Sequence, residues 1–411
     1  MNNGSNFRKN FIWNILGTGF NAFNSLFLMI LVTRINGVDD AGIFAIAFST
    51  ACIFYVIGTY AGRIFQVTEA DKCISDKDYI INRAMSFFIM MICTFFFIII
   101  RRYDVYKATI FLLLGLFKGL EAFSDVMYGI LQKNDLLYKV GQSYFIKAIL
   151  TIVPFAIIDI ITHNLILACT VIILMWVLII IFYDIPAVKR AVNNQEKINW
   201  RNSIKIFKSG FFVFAITFLG LYILNAPKYA IDSYLESSMQ TIFGIIVMPA
   251  TAISLFGQFI FHPFLMNIVN LYRENKMDEL NKIIRKLITY TAIVGIVSSI
   301  LAYVAGIPVL NFIYGIDLSD YRIHLVIIIV AATLYNIGGT YVSILTTIRK
   351  TFIQFIIYIC ISVIAIVVSN LLTKSYGING ATIAYFLLMF TYIVSYAITA
   401  NIILNKKQWG K

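Results

Sequence analysis

The sequence predicts an all-α polytopic membrane protein of about twelve transmembrane helices. Two observations carry the prediction. The 411-residue chain is 60% hydrophobic and only 13% charged, about half the charged share of an average soluble domain, which is about 25%. The apolar residues also fall in runs of roughly 20, the length a helix needs to cross a bilayer, and not scattered as in a soluble core.

The expected spans are Phe11–Val32, Ala41–Ala61, Ala84–Ile100, Tyr106–Tyr128, Val140–Ile161 and Leu165–Tyr183, then Gly210–Leu224, Gln240–Phe264, Leu287–Val309, His324–Ile348, Phe352–Leu372 and Ala381–Leu404. The first follows Arg8 and Lys9 and is too long for the core of a signal peptide. Between the sixth and seventh lies a basic segment, Asp184–Lys208, carrying Lys189, Arg190, Lys197, Arg201, Lys205 and Lys208. It divides the chain into an N-terminal bundle (1–183), a linker (184–208) and a C-terminal bundle (209–411).

The net charge of +13 reads as membrane topology, not as a nucleic-acid surface. Lys and Arg concentrate in alternate loops, which places both termini in the cytoplasm. Arg101, Arg102 and Lys107 are the exception, because they fall in an outer loop. Gly42–Ile46 in the second span and Thr241–Ile245 in the eighth are similar, as are Ile130–Gln132 and Ile344–Thr346. Because six is even, a duplicated half keeps its orientation, a plan known in transporters. Segment Leu271–Lys286 reads as one amphipathic surface helix with Leu271, Met277, Leu280, Ile283 and Ile284 on its apolar side.

Cys52, Cys73, Cys93, Cys169 and Cys360 show no paired spacing, and His163, His262 and His324 are scattered, so neither a disulfide framework nor a metal centre is expected. No phosphate-binding loop, zinc-protease motif or nucleophile elbow is present in a usable context. No cofactor is expected, and no loop is long enough for a soluble catalytic domain.

Charge inside a span costs roughly 2.5–3.5 kcal/mol on insertion scales and marks a functional candidate. The fourth span holds Lys118, Glu121 and Asp125, three and four residues apart and so on one helix face; the fifth adds Lys147. They are read either as the lining of a polar cavity or as an internal ion pair that fixes packing. Asn14, Gly17, Asn21 and Asn24 form a stripe on the first span, either facing a wet lumen or letting helices approach. Arg34 and Lys228 near outer ends, and Arg63 at the inner end of the second span, are candidates for headgroup contact or gating, with snorkelling to the interface as the plainer role. Pro154 and Pro249 lie within spans as hinges or static kinks.

Several segments resemble bacterial polysaccharide-repeat-unit flippases of the Wzx type. They are Val32–Gly37 with Ala41–Phe44, Gly62–Val67 with Tyr79 and Arg83, Lys118–Asp125 with Tyr128–Lys133, and Asn225–Asp232. The resemblance runs over nearly the whole chain. It implies the multidrug/oligosaccharidyl-lipid/polysaccharide exporter superfamily, with two six-helix bundles in a V around a cavity. It implies an undecaprenyl-diphosphate-linked oligosaccharide (O-antigen, capsule or another surface polysaccharide) moved to the outer leaflet by alternating access in the bacterial cytoplasmic membrane. Membrane lipids and a polysaccharide polymerase would be partners. Lys118 and Lys147 match basic positions of the family's motifs, and a cationic cavity suits a diphosphate. The competing readings are a drug/cation antiporter of the same superfamily and, further off, a membrane-embedded polysaccharide enzyme.

Overall fold

The computed structural model describes residues 3–60, 62–68, 74–191, 199–261 and 264–409; Cys73, Lys197 and His262 lie outside them. The described residues form helices joined by short turns. They divide into two compact units, Met1–Phe218 and Leu219–Lys411.

The N-terminal unit contains α1 (Asn3–Ile35), α2 (Val38–Thr59), the short α3 (Gly62–Val67), α4 (Asp76–Arg101), α5 (Val105–Lys133), α6 (Leu137–Thr162), α7 (Leu165–Ile179) and α8 (Ile185–Lys189). It also contains the first half of α9 (Trp200–Tyr234). Polar residues mark where these helices start. Ser75 and Asp78 form a reciprocal capping box on α4, Asp104 accepts from the Lys107 amide, and Asn164 accepts from the amides of Ile166 and Leu167.

The middle of the unit is α5, which packs on α2, α3, α4 and α7. Phe111, Leu114, Phe117, Val126, Tyr128 and Leu131 of α5 are buried. Helices α1 and α6 make the most extensive helix–helix contact in the unit. The backbones meet where Gly17 faces the Gly141 carbonyl and Gly141 faces the Trp13 carbonyl, leaving no room for a Cβ on either glycine. Small residues that let backbones touch are how helices associate in lipid, where no hydrophobic force drives them together.

The C-terminal unit contains the rest of α9, α10 (Ser237–Phe261), α11 (Leu265–Arg273), α12 (Met277–Leu301), α13 (Ile307–Tyr314), α14 (Arg322–Thr347) and α15 (Thr351–Trp409). Non-helical Gly377 (φ 59°) divides α15 into two helices. Here α14 is central, packed on α10, α12 and α15. The fourth spanning helix of each unit thus packs on the second and third of its own unit, as a duplicated half requires. The interior of this unit is aromatic. Tyr335 stacks on Tyr392 at 4.9 Å, and the hydroxyls of Tyr358 and Tyr392 are 3.1 Å apart.

Nine stretches of the described residues are long and apolar enough to cross a membrane. The last, Thr351–Leu404, holds both halves of α15. Helices α5 and α10, at 29 and 25 residues, exceed the roughly 20 needed to span. Among the described residues the twelve expected spans are therefore helical, and the chain is a multi-pass membrane protein.

Several helices extend past the expected spans, α1 from Asn3 and α4 from Asp76 among them, and three further differences change the local structure. The helix of the sixth span does not end at Tyr183. It runs through a π-helical turn, Ile180–Asp184, into α8. Pro186 follows the π-helical turn inside this continuous helix, where it can donate no backbone hydrogen bond. The seventh spanning helix begins at Trp200, ten residues before the expected Gly210. Leu271–Lys286 is not one surface helix. The chain turns at Glu274–Lys276, with Asn275 left-handed (φ 62°), a conformation asparagine tolerates. Asp278 and Glu279 then open α12, where the helix dipole favours acids. Leu271, Met277, Leu280 and Ile284 still share one buried cluster, with Ile344 and Leu404.

Candidate functional site

The three charges on α5 lead to different places within the N-terminal unit. Lys118 and Glu121, one turn apart, pair at 2.6 Å in the wall of a cavity of about 220 Å³. Asn21 and Asn24 of α1 line the same cavity, with Phe48 and Cys52 of α2 and Phe117 of α5. Four of the sequence-predicted site residues therefore share one lining. The Lys118 ammonium also lies 4.9 Å from the Phe48 ring centre and 5.4 Å from that of Phe117, within cation–π range.

The asparagine stripe divides along α1. Gly17 serves the α1–α6 contact, while one turn on Asn21 and Asn24 face the cavity. The Asn24 amide donates to Asn21 Oδ1 at 3.3 Å, and the buried Asn24 Oδ1 has no donor among the described residues. An unpaired amide oxygen beside a cavity is placed to accept from a ligand hydroxyl. At about 220 Å³ the cavity is below the roughly 300–1,000 Å³ of drug-sized pockets, a volume for one polar group and not a whole oligosaccharide.

Asp125 turns away from this pair toward two arginines. Arg83 Nη2 approaches Asp125 Oδ2 at 3.4 Å, and Arg63 Nε lies 4.0 Å from Asp125 Oδ1. Arg83, from α4, is buried and also donates from Nη1 to the Gly58 carbonyl at 3.1 Å. Arg63 opens α3 and keeps a quarter of its side chain exposed.

Lys147, expected beside Lys118, is in a third and separate cluster. Its ammonium contacts Asp184 Oδ2 at 2.5 Å, Ser124 Oγ at 2.7 Å and the Tyr128 hydroxyl at 2.8 Å, with no exposed surface on either charged residue. Ser143 donates to Asp184 Oδ1 at 2.6 Å. Every donor of the ammonium has a partner, so the cluster pins α5 to α6 and to the π-helical turn after α7. Asp184, at the edge of the expected linker, was not singled out by sequence reasoning. The signal was present in the unbroken apolar run that leads into it.

Arg34 stands exposed in the last turn of α1, where a cation suits the helix dipole. Lys228 is half-buried in the part of α9 that belongs to the C-terminal unit, four residues before Asp232. The basic loop Arg101–Lys107 gathers on one ring. Arg101 Nε donates to the Tyr103 hydroxyl at 3.3 Å, and the Lys107 ammonium lies 4.4 Å from the Tyr103 ring centre.

This architecture matches solved transporters over almost its full length. An inward-facing multidrug resistance MATE family transporter of the MOP superfamily superposes with a TM-score of 0.68 at 13% identity, covering 96% of this chain and 99% of the other. This chain shares that transporter's fold. The lipid II flippase MurJ, in an inward closed conformation, matches with a TM-score of 0.70 at 17% identity, covering 95% of this chain and 87% of the other. The Vibrio cholerae MATE transporter VcmN in its bent form matches it with a TM-score of 0.57 at 13% identity, covering 98% of each chain. By sequence, the chain is 26% identical over 408 residues to the capsular polysaccharide biosynthesis protein CapF of Staphylococcus aureus, covering 95% of this chain and 97% of the relative. No family model matches the sequence.

Proposed function

We propose that this protein is a flippase that carries undecaprenyl-diphosphate-linked oligosaccharide repeat units from the cytoplasmic to the outer leaflet of the bacterial cytoplasmic membrane. The end-to-end match to a capsular polysaccharide biosynthesis protein carries the reading. The MOP fold, which includes a lipid II flippase among its solved examples, is consistent with it.

In this reading both termini are cytoplasmic, which the Lys and Arg distribution favours, and the two units alternate access to the cargo. Asn21, Asn24 and the Lys118–Glu121 pair take one polar group of the headgroup, with the unpaired Asn24 oxygen accepting from a sugar hydroxyl. The pair gives the cavity both a donor and an acceptor at no net charge, which suits a hydroxylated ring. Arg63 supplies cationic contact to the phosphates, with Arg34 and Lys228 as further headgroup contacts. Lys147 acts from behind, holding α5 in place. A polymerase on the outer face consumes the delivered units, and no chemical conversion takes place within this chain.

The test is genetic and chemical. In a strain lacking its own flippase, expression of this chain should restore surface polysaccharide and clear lipid-linked repeat units from the cytoplasmic leaflet. Full surface polysaccharide in a strain deleted for this chain, with a raised sensitivity to cationic drugs, would instead favour a drug/cation antiporter.

A further inference from the structure

The Arg63–Arg83–Asp125 cluster is out of balance. Two guanidinium groups share one carboxylate, so one positive charge is left over. The sharing is unequal: Asp125 Oδ2 is 3.4 Å from Arg83, while Asp125 Oδ1 is 4.0 Å from Arg63 Nε, beyond hydrogen-bond range. Two buried donors, Arg63 Nη1 and Arg83 Nε, have no acceptor among the described residues. Leaving a buried charged donor unmade is costly, so these two donors favour a group that brings several acceptor oxygens.

Backbone geometry allows one arginine to move and holds the other. Arg83 is 3% exposed and is anchored to the Gly58 carbonyl, where α2 lies so close to Met90 and Ala122 that a Cβ on Gly58 would sit 2.8 Å from one and 2.9 Å from the other. Arg63 follows the end of α2, with Tyr60 at φ 32° and Gly62 at φ 74°, and its side chain reaches solvent. Short α3 is tied to α5 by Gln66, whose amide donates to the Val126 carbonyl at 3.2 Å.

We propose that Asp125 is an internal stand-in for a phosphate, which the phosphates of an incoming lipid headgroup displace. Arg63 swings from its loose contact with Asp125 to the phosphate, and Arg83, held in place, offers its free Nε to the same anion. Guanidinium groups favour phosphate because their forked donors match its oxygens. The carboxylate prevents the two cations from holding any passing anion tightly, and it re-forms the resting cluster when the cargo leaves. It is a positioning residue that sets affinity and release. The inference rests on the flippase reading for the identity of the anion, not for the role of Asp125.

Binding to the purified full-length chain in nanodiscs tests it. The probes are farnesyl diphosphate, inorganic pyrophosphate and farnesol, and each variant is first checked for a single folded species. Wild type is expected to bind farnesyl diphosphate, and D125N to bind it about tenfold more tightly, the order of one charge-assisted contact no longer competing. R63Q should weaken binding about tenfold, and D125E, which keeps the competing charge, should stay near wild type. Unliganded D125N should melt below wild type, because Arg83 loses its counter-ion, and should gain more from ligand. A folded D125N that binds no more tightly than wild type overturns the stand-in role while leaving the flippase reading intact. Pyrophosphate bound as well as farnesyl diphosphate, with D125N still tighter, keeps the stand-in role and counts against a lipid cargo. Absence of binding to every variant overturns both.

Discussion

Lys147 on α6 and Asp184 after α7 meet at 2.5 Å, and neither side chain has any surface open to solvent or lipid. Thirty-six residues separate them in the chain, and between them they engage Ser124, Tyr128 and Ser143. Such a pair carries a large desolvation cost, offset only because each polar atom is matched. Breaking it should be worse than deleting it. Lys147→Met is expected to destabilise by about 3–5 kcal/mol, and the double replacement Lys147→Met with Asp184→Leu to recover much of that. Thermal unfolding in detergent would read both; a double variant no better than the single would refute the pairing.

The α1–α6 contact has no tolerance for bulk. At Gly141 an added Cβ meets the Trp13 backbone, which cannot rotate away. Gly141→Leu should cost about 1–3 kcal/mol or more by overpacking and lower the yield of monodisperse protein in size-exclusion chromatography. An unchanged profile would mean that the two helices can separate without loss.

The cavity pair should behave non-additively. Lys118→Ala leaves the Glu121 carboxylate alone in a wall that is largely buried, repelling an anionic cargo. Its flipping rate is expected to fall about tenfold, on the order of one lost charged contact, and Lys118→Ala with Glu121→Ala should fall less. Initial rates in proteoliposomes decide this; a double variant worse than the single would argue that Glu121 binds cargo directly.

Asp78 fastens the start of α9 to α4. Its buried carboxylate accepts from the Asn199 amide and the Asn202 side chain, each at 2.8 Å, and from the Ser75 amide at 3.1 Å. Asp78→Ala should cost about 1.5–3 kcal/mol, the worth of hydrogen bonds to a charged group. It should speed hydrogen exchange at the first turns of α9 more than in α5. Equal exchange in both helices would contradict a local tie.

The apolar runs made the twelve helices legible, because span length is a local property that lipid enforces residue by residue. The three-residue spacing of Lys118 and Glu121, and of Asn21 and Asn24, was legible for the same reason, since helical spacing fixes a shared face. Their convergence on one cavity was not written in either helix alone. What escaped was set by partners distant in sequence. Asp184 looked like the start of a polar linker because only the fold brings it to Lys147, and Arg83 was one motif residue among several until Asp125, 42 positions on, came beside it. The single helix expected over Leu271–Lys286 failed at Asn275, where a left-handed turn interrupts a hydrophobic pattern that continues in space.

Movement of a lipid-linked glycan is the most direct measure. Purified protein would be reconstituted into vesicles holding a fluorescent undecaprenyl-diphosphate oligosaccharide in both leaflets, and a membrane-impermeant quencher added outside. A flippase makes nearly all the fluorescence accessible within minutes, faster than protein-free vesicles and more slowly with R63Q. Quenching that stops at the outer-leaflet half, with folded protein in the membrane, would contradict transport of this cargo.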